Sequence, residues 1–363
     1  MSDKEEIVQI LTLFRHGKRN SFLNLETNEL YSTDLCPENI QDTINKGRHF
    51  INKYFPNNSF PFNQKDFKCV ISDSIRTIKS IIYRLTDYLP KEDFQSMSQG
   101  ALKEFTKKNI PNTVYDDKIF KSFEYIDNLA SEYSKKEEEY QKLYDDVEKE
   151  MSKRSEKVHQ LYLKYLNHPS FTGKTYEFFK LSFVYDFLFF IDPKVQKNFN
   201  DEQKIMKEVF EQSGANKKII ELCFSIKEIN LCFSHQLVCS YYNEMDKIRK
   251  NKEDKKKIVM YSAHDLYVHC LINLLEIKDK KKFGYLFDDE INFIIFKKNN
   301  NEKLYFRVDY NDEQVEIPLS TLENKKECEL DTLMEKIEKE FLIYTYDDIM
   351  DFCHLKNLEK LKC

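Results

Sequence analysis

Glycine is scarce in this chain, since only six of its 363 residues are glycine. No segment has the glycine spacing of a P-loop or of a GxGxxG turn, so the sequence gives no support to nucleotide binding by either device. Cysteine occurs nine times, but the positions are scattered and no CxxC pair is present. This pattern is typical of reduced thiols in the cytosol and not of a disulfide framework.

A long apolar run is missing as well. The most apolar stretch, Phe178–Ile191, has fourteen residues, and Lys180, Ser182 and Asp186 lie inside it. Because a helix needs about 20 apolar residues to cross a bilayer, this stretch predicts a buried helix and no membrane span. The segment Met1–Glu6 is short and charged and lacks the apolar core of a signal peptide. We therefore expect a cytoplasmic protein.

Neither sign of charge is in large excess. The chain has 57 Lys and Arg against 62 Asp and Glu, which gives a net charge of -5. Binding to phosphate backbones needs a basic face, so we expect no nucleic-acid partner. Hydrophobic residues make up 41% of the chain, enough for a substantial core. The length fits one large domain or a main domain with an insertion.

The N-terminal part of the chain alternates two kinds of pattern. Short apolar runs predict strands at Ile7–Phe14 and Phe67–Ser72, and helical spacing predicts helices at Pro37–Tyr54 and Ile75–Leu89. This alternation is typical of an α/β domain with a largely parallel sheet. The same signals return later, with strands at Lys257–Ser262, Ile291–Lys297 and Leu304–Val308 and helices at Leu266–Leu275 and Leu330–Phe341.

Residues 91–244 have almost entirely helical spacing. An apolar stripe that begins at Tyr140 and ends at Tyr165 carries many aromatics and no sustained heptads, which favours a long surface helix over a coiled coil. His168-Pro169 ends this helix. We interpret 91–244 as a helical cap inserted into an α/β domain made of 1–90 and 245–363.

Three polar clusters directly follow predicted strands. They are FRHGKRNSF at Phe14–Phe22, SDSIR at Ser72–Arg76 and YSAHD at Tyr261–Asp265. In open α/β sheets the loops at the carboxyl ends of the strands form the ligand crevice, so we expect the clusters to lie near one another. One guanidinium group can bind two phosphate oxygens through parallel hydrogen bonds. A neutral imidazole is a competent nucleophile.

Each cluster taken alone has a simpler interpretation. The first is compatible with an exposed basic loop, and Arg76 with a surface ion pair to Asp73. Asp265 is compatible with a helix N-cap beside a buried His264. Three clusters that follow strands and that all suit one phosphate group favour a shared phosphate site.

The clusters resemble those of the histidine acid phosphatases, the prostatic, lysosomal and lysophosphatidic acid phosphatase-like group. That family has RHGxRxP near its start, a later Arg after an S/T-x-D strand end, and an HD pair in its last third. This chain has RHGKRNS, SDSIRT and SAHD in that order, and Leu35–Tyr54, Tyr310–Leu319 and Cys328–Leu333 also resemble family segments. The resemblance implies a phosphoglycerate mutase-like fold, a doubly wound, mostly parallel sheet with an inserted helical cap.

The resemblance also implies a role for each matching position. His16 is the nucleophile that forms a phosphohistidine, and Asp265 is the proton donor. The phosphate-binding residues are Arg15, Arg19, Arg76 and His264. No cofactor or metal is implied, because the arginine cluster supplies the positive charge.

Four positions depart from the family pattern. Ser21 stands where the family has Pro, Leu266 where it has Thr, Asn39 where it has Gly, and Ile294 where a Glu is common. None of the six catalytic and phosphate-binding positions is lost.

The resemblance implies hydrolysis of a small phosphomonoester or a lysophospholipid. It disfavours inositol polyphosphate, because relatives that hydrolyse it generally carry HAE in place of HD. Two alternatives stay open: a catalytically weak or silent phosphate-binding protein with the same fold, and a phosphomutase that passes the phosphate to an acceptor.

Overall fold

The computed structural model describes most of the chain. The described residues are 5–19, 21, 24–27, 34–116, 119–120, 137–169, 177–190, 196–215, 218, 227–276, 289–298, 302–319, 322, 325–345 and 347–349. The predicted cap therefore includes two long segments, 121–136 and 219–226, that lie outside the described residues.

The strands and helices of the described residues are numbered in chain order. The strands are β1 (Glu5–Arg15), β2 (Phe67–Ile71), β3 (Thr113–Tyr115), β4 (Ile258–Ala263), β5 (Glu290–Lys298), β6 (Tyr305–Tyr310), β7 (Glu313–Gln314) and β8 (Glu327–Glu329). The helices are α1 (Ile40–Tyr54), α2 (Ile75–Arg84), α3 (Gln99–Asn109), α4 (Glu137–Ser152), α5 (Glu156–Leu166), α6 (Glu177–Phe190), α7 (Asp201–Ser213), α8 (Lys227–Arg249), α9 (Asp265–Leu274) and α10 (Leu330–Glu340).

The strands form one mixed sheet in the order β3-β2-β4-β1-β5-β6-β7, and β8 pairs with β6. Strands β3, β2, β4 and β1 run parallel to one another. Strand β5 is antiparallel to β1, and β6 is antiparallel to β5. The predicted α/β class with a largely parallel central sheet is confirmed, and the later strands extend the sheet in antiparallel fashion on the β1 side.

The central strands are buried along most of their length. Residues 9–15 of β1 and all of β4 are buried, as expected for strands covered on both faces. This burial explains why these segments read as continuous apolar runs and not as alternating patterns. The register places Arg15 opposite Ala263 and Ile71 opposite Ser262, so the carboxyl ends of β1, β4 and β2 lie side by side.

Helix α2 packs closely against α1 through a glycine. A Cβ atom added at Gly47 would lie 2.2 Å from the Arg84 carbonyl oxygen, so only glycine allows this approach. The Arg84 side chain is fully buried, forms an ion pair with Glu290, and lies over the Phe14 ring at 4.1 Å. The pair joins α2 to β5.

The apolar stripe between Tyr140 and Tyr165 differs from its prediction. Two helices, α4 and α5, carry it in place of one long helix. Ser155 lies between them and caps α5, because its hydroxyl accepts a hydrogen bond from the Val158 amide. An N-capping serine favours a helix start at its own position, and periodicity alone did not reveal it.

The chain divides into two compact units. The first comprises Met1–Gly17, Pro37–Lys121 and Leu231–Asp351, and it holds the sheet with α1, α2, α3, α9, α10 and most of α8. The second comprises Lys18–Cys36, Ser122–Asn230 and Phe352–Cys363, and it holds α4 to α7. Within the described residues, no helix combines the length and the apolar character that crossing a bilayer requires.

The unit bounds differ from the predicted domain bounds. Helix α3 and strand β3 lie within the predicted cap, 91–244, yet they belong to the first unit, where β3 pairs with β2. Residues 231–244 of α8 also belong to the first unit. The compact units are defined by contacts between residues, and such contacts do not show whether a unit folds independently. The domain bounds therefore stay a prediction.

Candidate active site

The backbone brings all three polar clusters to one end of the parallel strands. The His16 amide donates to the Ala263 carbonyl at 3.0 Å, and the Ser72 amide donates to the Ser262 carbonyl at 3.0 Å. Each cluster therefore begins where the ladder between β1, β4 and β2 ends. The sequence predicted this gathering from the position of each cluster after a strand.

His16 is buried, with only 3% of its surface exposed. Its Nδ1 lies 2.7 Å from the Gly17 carbonyl oxygen, which can only accept, so we assign the ring hydrogen to Nδ1. The pKa of His16 is held well below its usual value, first by burial and then by the charges of Arg76, His264 and Arg15. The ring is thus a neutral imidazole whose Nε2 carries the lone pair that a nucleophile needs.

Helix α2 supports the loop that follows His16. The Gly17 amide donates to Ser80 Oγ at 3.0 Å, and Ser80 is completely buried. Sequence reasoning missed Ser80. The available signal was weak: a small hydroxyl residue directly before the apolar pair Ile81 and Ile82.

His264 contacts two members of the second cluster. Ser72 Oγ lies 3.2 Å from its Nε2, and Arg76 Nη2 lies 3.4 Å from its Nδ1. His264 thus bridges the Ser72 hydroxyl and the Arg76 guanidinium. The rings of His264 and His16 meet edge to face, with centroids 5.2 Å apart.

The surface ion pair considered for Arg76 is not present. Arg76 is only 8% exposed, and Asp73 instead accepts from Lys103 Nζ at 2.6 Å and from Gln99 Nε2 at 2.7 Å. Asp73 thereby joins the loop of the second cluster to α3. The interpretation of Arg76 as half of a surface ion pair is therefore wrong, because its side chain is buried and does not pair with Asp73.

Asp265 opens helix α9 and faces Arg15. Its Oδ2 lies 3.3 Å from Arg15 Nη2, and its Oδ1 accepts from the Leu266 amide at 3.0 Å. The N-cap position of α9 is held by His264, so the alternative of Asp265 as an N-cap is wrong. The Asp265 side chain is 27% exposed, whereas that of Arg15 is 7% exposed. The carboxylate is therefore the more accessible partner.

Asp289 is a neighbour of Arg15 that sequence reasoning did not single out. Its carbonyl accepts from the Arg15 amide at 2.8 Å, and its Oδ1 accepts from Asn311 Nδ2 at 2.9 Å. Burial raises the pKa of Asp289 to about 6, although Asn311 and the charge of Arg15 act in the opposite direction. No sequence signal marked it, because Asp289 simply precedes a predicted strand.

Two helices begin at this end of the sheet. Arg76 lies in the first turn of α2, and Asp265 lies in the first turn of α9. The amino end of a helix carries partial positive charge, which adds to the guanidinium groups of Arg15 and Arg76. This end of the first unit thus combines cationic groups suited to an anion with a neutral imidazole.

Arg19 belongs to the second unit and has a carboxylate partner there. Its Nη2 donates to Asp186 Oδ1 at 2.7 Å, and its Nη1 donates to Asp186 Oδ2 at 3.3 Å. The Ser21 hydroxyl donates to the same Oδ2 at 3.0 Å. Sequence reasoning noted Asp186 inside the most apolar run but did not connect it to Arg19.

Comparison with known proteins gives matches at the level of structure. No protein-family model matches the sequence, and no curated protein matches it significantly. Solved structures match over nearly the whole chain. The apo phytase of Hafnia alvei superposes with a TM-score of 0.57 at 12% identity, covering 93% of this chain and 97% of that chain.

Two further solved structures agree with the first. The phytase of Citrobacter braakii gives a TM-score of 0.58 at 9% identity, covering 92% of this chain and 98% of that chain. The multiple inositol polyphosphate phosphatase of Bifidobacterium longum, complexed with inositol hexasulfate, gives 0.53 at 10% identity, covering 92% of each chain. The chain has the phytase fold.

Phytases and inositol polyphosphate phosphatases belong to the histidine acid phosphatases. The predicted resemblance to that family is therefore confirmed at the level of the phytase fold. The structural neighbours are phosphomonoester hydrolases. At these identities the likeness establishes the fold, and any chemistry has to be argued from the chain's own residues.

Proposed function

We propose that the chain is a phosphomonoester hydrolase of the histidine acid phosphatase type that acts through a phosphohistidine on His16. The observation that carries the proposal is the state of the His16 ring. It is buried and neutral, its Nδ1 hydrogen is fixed on the Gly17 carbonyl, and cationic side chains surround it. Phosphoryl transfer to histidine requires an unprotonated ring nitrogen as the nucleophile. It also requires nearby guanidinium groups that bind the phosphate oxygens.

In the first step the phosphate dianion binds to Arg15, Arg76 and His264. Arg19 enters the proposal through its place in the motif, three residues after His16. His264 Nε2 lies 3.2 Å from Ser72 Oγ, and we propose that Nε2 donates to a phosphate oxygen in place of Ser72. His16 Nε2 then attacks phosphorus, and the bond between phosphorus and the ester oxygen breaks.

Asp265 donates a proton in the first step and accepts one in the second. When the phosphate takes over the Arg15 contact that Asp265 has in the free protein, the Asp265 carboxylate takes up a proton from solvent and then gives it to the leaving oxygen. In the second step water attacks the phosphohistidine and gives a proton to the Asp265 carboxylate. The bond between phosphorus and Nε2 breaks, which releases inorganic phosphate and restores the neutral His16 ring.

The substrate we propose is a small phosphomonoester or a lysophospholipid. The structural neighbours include phytases and a phosphatase named for inositol polyphosphates, so inositol hexakisphosphate belongs in the same assay panel. A preference for the lysophospholipid over inositol hexakisphosphate would agree with the sequence-based expectation. The opposite preference would correct it and leave the phosphohydrolase proposal intact.

Release of inorganic phosphate from an aryl phosphate tests the proposal. We expect chelator-resistant activity somewhere between about pH 4 and 8, lost about a thousandfold or more in His16→Ala because the nucleophile is gone. Asp265→Asn should lose about a hundredfold, because it removes the proton donor. A wild-type chain without activity, or activity that survives in His16→Ala, would overturn the proposal. Phosphate found on an added acceptor would favour a phosphomutase.

A further inference from the structure

Asp186 is a carboxylate in an otherwise apolar part of α6. Its helix neighbours Val184, Phe187 and Leu188 are completely buried, and Asp186 itself is only 8% exposed. A carboxylate in such surroundings is costly unless charged and hydrogen-bonding partners compensate for the lost water. The partners of Asp186 therefore account for its presence in the helix.

Those partners come from the segment that follows the catalytic motif. Arg19 meets Asp186 end on, with both terminal nitrogens within hydrogen-bonding distance, at 2.7 and 3.3 Å. Ser21 adds a hydroxyl at 3.0 Å to the same carboxylate. Ser21 stands where the resembled family has a proline, which has no hydroxyl to donate, so this third contact depends on the serine. All three residues belong to the second unit.

We propose that Asp186 is a positioning residue that fixes the guanidinium of Arg19 for phosphate binding, with Ser21 fixing the carboxylate in turn. This inference rests on the proposed function. A guanidinium is planar and carries five N–H hydrogens, and an end-on pair uses one hydrogen from each terminal nitrogen. Once that pair forms, the plane and the direction of the remaining hydrogens are set before any substrate arrives.

A purely structural role predicts a different result. If Arg19 only neutralised Asp186, a change at Asp186 would lower the stability and leave the affinity for phosphate as it was. If Asp186 orients Arg19, the affinity for phosphate falls as well. The two roles therefore differ in the inhibition constant of inorganic phosphate and in the KM of the aryl phosphate.

Asp186→Asn is the variant of choice, because the amide keeps the shape and can still accept hydrogen bonds from Arg19 and Ser21. It loses the charge and the paired geometry. We expect KM and the calorimetric dissociation constant of inorganic phosphate to rise about tenfold. Glu148→Gln is the matched control, since Glu148 also belongs to the second unit and pairs with His159 at 2.5 Å. It should change the melting temperature alone.

A double-variant cycle with Arg19→Lys completes the test. If Asp186 acts through Arg19, Asp186→Asn should have little further effect on phosphate affinity in the Arg19→Lys background. Unchanged affinity in Asp186→Asn with a lowered melting temperature, or effects of the two changes that multiply, would overturn the inference. Calorimetry reads phosphate binding directly. If the wild-type protein binds phosphate but does not hydrolyse the aryl phosphate, that result would count against the proposed function and not against the role of Asp186.

Discussion

Most of the influences on His16 disfavour its charged form. Burial is the largest of these, followed by the charges of Arg76, His264 and Arg15. The hydrogen bond from Nδ1 to the Gly17 carbonyl acts in the opposite direction and favours the charged form, but it does not outweigh them. Under the proposed function, the same cations that bind phosphate would also keep the His16 ring unprotonated.

The lowered pKa of His16 has a direct consequence in solution. We expect its ring resonances, followed by NMR on histidine-labelled protein, to stay in the neutral form as the pH falls through 6.5, the usual histidine pKa. Arg76→Gln should raise the pKa of His16, because the second-largest cause of its lowering is removed. The His16 resonances would be assigned as those that are missing from the spectrum of His16→Ala. A midpoint at or above 6.5 in the wild type would contradict this account.

At the scale of elements, α2 connects the site to the core. Its first turn supplies Arg76, its middle supplies Ser80 beneath Gly17, and its last residue, Arg84, contacts Gly47 of α1. The helix is buried over nearly all of its length, so a shift at one end is transmitted to the other. The packing of α1 on α2 therefore bears on the position of the site residues.

Gly47→Ala tests this packing. The added Cβ would clash with the backbone at Arg84, so we expect a loss of about 1–3 kcal/mol of unfolding free energy, measured in urea. Under the proposed function, release of phosphate should fall as well, because α2 carries Arg76.

Gly100→Ala in α3 is the matched control. A Cβ there meets nothing within 4 Å, so the alanine should be neutral or stabilise by up to about 1 kcal/mol through helix propensity. Equal destabilisation by the two substitutions would show that the contact between α1 and α2 is not the cause.

At the scale of the whole molecule, buried polar contacts within the first unit join segments that are remote in the chain. Arg84 and Glu290 are 206 positions apart, and their ion pair lies between α2 and β5, against Phe14 of β1. Asn292 Nδ2 also donates to Glu290, at 2.7 Å. A buried pair of this kind adds little net stability over apolar residues, but losing one partner leaves an uncompensated charge.

Removing one or both partners separates these effects. We expect Arg84→Met to lose about 3–5 kcal/mol of unfolding free energy, because Glu290 is then buried without its cation. Arg84→Met combined with Glu290→Gln should recover part of this loss. Denaturant unfolding of the three proteins measures both values. A double variant less stable than Arg84→Met would mean that the charge of Glu290 is not the source of the loss.

The sequence by itself determined the five longer strands, β1, β2, β4, β5 and β6, the first helices and the place of the three clusters, but not the short strands β3, β7 and β8. These features depend on local patterns, since a buried strand reads as an apolar run and the residues after it lie at its carboxyl end. The positions of Arg15, His16, Arg76, His264 and Asp265 at one end of the first unit followed from that rule. The resemblance to a family added roles for them, which stay predictions.

Only the tertiary structure decided which side chains pair over long distances. Asp186 is 167 positions from Arg19, and no periodicity connects them. Ser80 under Gly17, Asp289 beside Arg15 and the antiparallel addition of β5 to β1 are of the same kind. Each depends on the packing of segments that are remote in the chain. The spacing of apolar residues indicates which face of a helix or strand is buried. It does not indicate which residues of another segment that face contacts.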